Sequence, residues 1–144
     1  ADSLSTYKAL TVLKHGDTFN DLMSDVKRVF KISGRYQLQD SFDINEYANT
    51  EGKYVFRKHP SWLPQNIQEQ TSADHLYITR FYSFCISLMD DYIKTLPAIV
   101  EDTITTGLDI EHCTYKNVNK DLVQVFDKVH LEGAIATNGS IEID

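Results

Sequence analysis

The chain is poor in several things, and each shortage removes a class of protein. Two cysteines in 144 residues, Cys85 and Cys113, are too few for a disulfide scaffold, and their spacing is not that of a zinc site. They read as two half-buried thiols in a reducing compartment. With 6 Gly and 3 Pro there is little linker material, and no internal repeat or low-complexity tract interrupts the chain. Positive charge is short as well: 14 Lys plus Arg stand against 21 Asp plus Glu, a net charge of −7, which argues against a general nucleic-acid binder. No apolar run approaches the roughly 20 residues of a membrane-spanning helix. No signal or transit segment is visible, and the missing initiator Met in Ala1-Asp2-Ser3 reads as processing, excision or trimming.

What remains is an ordinary globular composition, 42% hydrophobic and 24% charged, at a length that suits one domain over residues 1–144. The strongest local signal is a helix from Asp17. Phe19, Leu22, Met23, Val26, Val29 and Phe30 form one apolar stripe, Asp17 caps it, Lys27, Arg28 and Lys31 close its last turn, and Gly34 ends it. Tyr7 to Leu13 reads as a strand before it. After it, Tyr36, Leu38, Phe42 and Ile44 alternate with polar residues, and Lys53 to Lys58 gives a further short strand through Tyr54, Val55 and Phe56. His59 to Pro64 reads as a rigid extended connection, because each Pro disfavours helix at the residue before it.

Residues 72–96 support two readings. Leu76, Ile78, Phe81, Tyr82, Cys85, Leu88, Met89 and Tyr92 fit one long buried helix. A short helix to Ser83 followed by a buried strand over residues 84–95 fits the aromatic and β-branched content equally well. Ile99 to Thr106, then Leu108 to Tyr115, read as strands, and Asp121 to Phe126 as a short amphipathic turn of helix. Asn138-Gly139, between two alternating runs, predicts a terminal hairpin. Asn138-Gly139-Ser140 also matches a glycosylation sequon, but the turn explains it without further assumption.

Four pieces of this order resemble capsid proteins of picorna-like viruses of the insect iflavirus and dicistrovirus type. The pieces are the helix from Gly16-Asp17 to Lys27-Arg28, the corner Phe56 to Pro64, Arg80 to Phe84 leading into Tyr92-Ile93-Lys94, and the late pair Leu131 to Ala136 with Ser140 to Ile143. Phe84-Cys85-Ile86 stands where that family has Trp-Arg-Gly. The resemblance implies an all-β jelly-roll sandwich with two short helices, closed after Asp144 by another chain or segment. Many short alternating strands with turn signals are what two packed sheets require. The alternative is an α+β domain with a long central helix over residues 72–96.

The function expected is accordingly structural: a subunit or fragment of an icosahedral capsid, found in the virion and in host cytoplasm during assembly. Its partners would be other capsid subunits, like and unlike, with no membrane and no direct nucleic-acid contact. Phe19, Leu22, Val26 and Phe30 are the packing candidates, and Trp62 and Tyr82 the contact candidates. The alternative function is an intracellular protein-interaction domain that binds a peptide in a groove or at a strand edge. No catalysis, cofactor or metal is expected. His112-Cys113 point to opposite faces if they lie on a strand, Asp90-Asp91 diverge on any element, and the five His residues form no ligand array. Asp17, Asp21 and Asp25 at helical spacing read as a solvated face.

Overall fold

The computed structural model describes residues 23–134 and 140–143. Nine strands and three helices are found among them: β1 (Arg28–Ile32), β2 (Tyr36–Leu38), β3 (Tyr54–Phe56), β4 (Lys58–Pro60), α1 (Gln65–Thr71), β5 (His75–Tyr77), β6 (Phe81–Cys85), α2 (Met89–Thr106), α3 (Ile110–Asn117), β7 (Val123–Val125), β8 (Leu131–Ala134) and β9 (Ile141–Ile143). The fold is mixed α+β. It is not the all-β jelly roll that the capsid resemblance implies, and it agrees in class with the α+β alternative.

The central sheet has the order β1-β6-β3-β7. β6 pairs antiparallel with β1 and β3, and β3 pairs parallel with β7. β6 is covered on both faces, so Phe81, Tyr82, Ser83 and Phe84 are all buried. A run buried on both faces, here apolar but for Ser83, fits the helical and the strand period alike. That is why residues 72–96 fit a single helix on paper, while in the fold the helix begins only at Met89. Tyr82 and Phe84 face one way, into a core with Tyr54, Phe56, Met89, Tyr92, Leu96 and Ile99. Phe81 faces the other way, into a second core with Val55, Tyr47, Val129 and Leu131. Each large side chain so buried contributes about 1.5–3 kcal/mol.

α2 buries Met89, Tyr92, Leu96 and Ile99, the 3-4-3 spacing of one helical stripe. Its second half was expected to be a strand because it is rich in Ile and Thr. Here the threonines turn inward on their own helix: the Thr95, Thr103, Thr105 and Thr106 hydroxyls donate to carbonyls one turn back. Pro97 lies inside the helix on an exposed position, and Gly107, at φ 70°, supplies the left-handed cap. Leu108 to Tyr115, also expected as strand, contains α3 instead, with Asp109 as its N-cap accepting the His112 N–H at 3.0 Å.

The helix expected from Asp17 to Lys31 does not reach its predicted end. Arg28 to Ile32 form a strand, outermost in the sheet among the described residues, in register with β6, Arg28 opposite Cys85 and Phe30 opposite Ser83. Val29 and Phe30 thereby enter opposite cores, and pairing with β6 overrides the local helical pattern. The first part of that helix, and the Tyr7 to Leu13 strand, lie outside the described residues. The region Asp121 to Phe126 holds a single 3-10 turn, Lys120–Leu122, before β7.

The smaller sheet β2-β8-β9 matches expectation best. β8 and β9 pair antiparallel, Glu132 opposite Ile143 and Ala134 opposite Ile141, as the terminal hairpin requires; its Asn138-Gly139 turn lies outside the described residues. Gly133 is needed in β8 because the Tyr36 ring lies where a Cβ would stand, 2.4 Å away. β4 and β5 form a third, two-stranded ribbon.

Candidate functional site

Two places bring chemistry-bearing side chains together. In the first, the chain leaves β4 at Pro60, and the Ser61 N–H donates to the Asp74 carbonyl at 2.9 Å, fixing the start of the Pro-rich corner. Gln68 of α1 donates from its side chain to the Leu63 carbonyl at 2.6 Å and holds the other end. Ser61 Oγ then lies 2.8 Å from His112 Nε2, and His112 Nδ1 lies 2.8 Å from Asp109 Oδ1. Because a carboxylate can only accept, Nδ1 carries the proton, and in the neutral ring Nε2 is left to accept the Ser61 O–H. The tautomer is set by the carboxylate. Ser61 Oγ also accepts the Leu63 N–H at 3.2 Å.

His112 is fully buried, whereas the Asp109 side chain is 41% exposed and Ser61 half-buried. The indole of Trp62 stands edge-on to the imidazole, ring centres 5.0 Å apart, and is itself 60% exposed. Next along α3, Glu111 is buried and accepts the Thr79 N–H at 3.2 Å. Burial raises its carboxyl above the ordinary range, partly offset by that hydrogen bond and by Arg80.

The second place is a cavity of about 990 Å³ whose wall includes Val26, Arg28, Phe30, Tyr47, Cys85 and Ile86. Arg28 donates from Nη1 to Ser83 Oγ at 3.0 Å and from Nη2 to the carbonyls of Thr50 and Lys53. Its guanidinium lies 5.8 Å from the centre of the Tyr47 ring, and burial lowers it from its ordinary value. Burial pushes the Cys85 thiol up, but donors outweigh it: the Ser87 hydroxyl at 3.2 Å, the Gly52 and Ser87 N–H groups, and nearby Arg28 hold the thiol below its ordinary value. Cys113 is the opposite case, fully buried and pushed up by that burial.

Among the described residues, no group of three or more His, Cys, Asp or Glu could hold a metal ion. Among them, too, no helix is long and apolar enough to cross a membrane. No protein-family model, no curated protein and no solved structure matches the chain.

The residues singled out from sequence land as follows. Phe19 and Leu22 lie outside the described residues. Val26 lines the Cys85 cavity, and Phe30 sits between that cavity and the second core. Tyr82, expected at a contact, is buried, hydrogen-bonded to the Tyr92 hydroxyl and stacked on Phe56. Trp62 is exposed over His112. His112 and Cys113 are on a helix, not a strand, and still diverge: the thiol points to the Leu108 carbonyl. Asp91 accepts the Tyr54 hydroxyl at 2.7 Å. The grouping of Ser61 with His112 and Asp109 has one sequence signal, Asp-x-x-His at a helix start, and alternation in Leu108 to Tyr115 concealed it.

A third feature is an open edge. Among the described residues β9 pairs only with β8, and its Ile141 and Ile143 are 74% and 69% exposed. Both lie on the face shared with Ala134 and Glu132.

Proposed function

We propose that this chain is a structural component that works by associating with other protein chains, as a subunit or fragment of a picorna-like icosahedral shell. The observation that carries the reading is the β9 edge. A strand with no second pairing partner among the described residues and with two exposed isoleucines is the kind of surface that another chain can complete, and an uncovered strand edge favours uncontrolled pairing. The four sequence pieces that resemble capsid proteins supply the kind of neighbour, other shell subunits, and hence the virion and host cytoplasm as its location. The acidic balance leaves genome contact to other segments. The proposal rests on this surface and not on a jelly roll, which the α+β fold excludes.

Sedimentation of the full chain, alone and with candidate shell partners, tests it. Defined oligomers or particles that dissolve in the variant Ile141→Lys/Ile143→Lys are expected. A wild-type chain that stays monomeric with every partner at tens of micromolar would refute the proposal. A second reading is a protein-interaction domain, with which the α+β class of the fold agrees. It predicts a monomer that adds an extended peptide as a new strand on β9.

A further inference from the structure

We propose that Ser61 is a nucleophilic serine, with His112 as its base and Asp109 as the carboxylate that orients the base, acting on small activated esters. The inference goes beyond the association surface at β9 and is independent of it. Both links are 2.8 Å long, within the range that proton transfer requires. The protonation pattern is the productive one. Asp109 holds the Nδ1 proton and is itself fixed by the His112 N–H at 3.0 Å, so the Nε2 lone pair faces the Ser61 hydroxyl. The Leu63 N–H on Ser61 Oγ, at 3.2 Å, fixes the position of the hydroxyl oxygen against His112 and leaves it one lone pair for attack.

The parts come from separate elements held by their own contacts. Ser61 is tied to Asp74 through its backbone, and Asp109 is the N-cap of α3. His112 is fully buried in the resting protein, with the Ser61 hydroxyl on Nε2 and the Trp62 indole against the ring. The indole is the cover, and its 60% exposure leaves it free to be displaced by an incoming acyl group.

The chemistry balances without a co-reactant other than water. Ser61 Oγ bonds to the acyl carbon as its proton passes to His112 Nε2. The bond to the alcohol leaving group breaks, and that oxygen takes the proton from Nε2. Water then attacks the acyl-serine with the same base, releasing the acid and restoring the hydroxyl.

Treatment of the full chain with an alkyl fluorophosphonate tests the proposal. The expected product is one phosphonyl group per chain, mapped by mass spectrometry to Ser61, with fluoride released. Ser61→Ala removes the adduct. Asp109→Asn keeps a good helix cap but inverts the hydrogen bond to Nδ1, and slows labelling about a hundredfold or more with unchanged circular dichroism. Trp62→Ala speeds labelling. No adduct in either the wild type or Trp62→Ala, an adduct on another residue, or equal rates for wild type and Asp109→Asn would each overturn it.

Discussion

At Ser61 the polar atoms are consumed in pairs: hydroxyl to imidazole, imidazole to carboxylate, carboxylate to a helix N–H, with an indole across the ring. At Cys85 the donors converge on one sulfur, and beside it lies a cavity of about 990 Å³. Both places join a nucleophile type to polarising groups, yet the first is closed and internally satisfied while the second opens onto space. The difference is one of satisfaction and access. A buried hydrogen-bond chain stabilises the fold whether or not it reacts, because each member would be costly alone. Donors around a half-buried sulfur beside a cavity alter its acidity and do little for the core.

The sharpest way to break that contrast is His112→Ala. It removes a fully buried ring and leaves Ser61 and Asp109 without their partner, so a loss of about 3–4 kcal/mol is expected in urea unfolding. A loss below about 1 kcal/mol would show that the closed chain is not structural.

Arg28→Met comes next. It deletes hydrogen bonds to Ser83, Thr50 and Lys53, at an expected cost of about 2 kcal/mol. It also moves the Cys85 thiol up towards its ordinary value, read as a slower iodoacetamide reaction at pH 7. In the folded wild type Cys85 reacts first, and Cys113 only on opening.

The smallest effect is expected at Glu111, beside the closed chain. Its folded carboxyl is raised above the unfolded one, so the native state binds that proton more tightly. Its contribution is present below the unfolded value, near about pH 4.3, and is lost as pH rises through the folded value. Glu111→Gln removes the titration, so the variant gains on wild type as pH is raised from 4 to 7. Parallel stability profiles for the two would contradict the burial argument.

The sequence was readable where one residue's neighbours along the chain decide its conformation. Tyr36 to Leu38, which alternate, and the β-favouring run Tyr54 to Phe56 are strands, and the two terminal strands pair antiparallel. It was misleading where distant contacts decide. Arg28 to Ile32 carry a helical stripe but are captured by β6, and the Thr-rich end of α2 hides its helical state in side-chain bonds to its own backbone. The capsid resemblance carried a jelly roll with it that the helices overturn. Ser61 and His112 are 51 residues apart, and nothing local announces that the corner after β4 returns to the start of α3.

The parallel pairing of β3 with β7, Tyr54 opposite Val123 and Phe56 opposite Val125, sets an order on biosynthesis. A parallel neighbour cannot be reached by a tight turn, so β3 waits, one side bare, until the ribosome has released everything through Val125. Until then the nascent chain is a substrate for chaperones, and a pause in translation before that point would lengthen its exposure to misassembly.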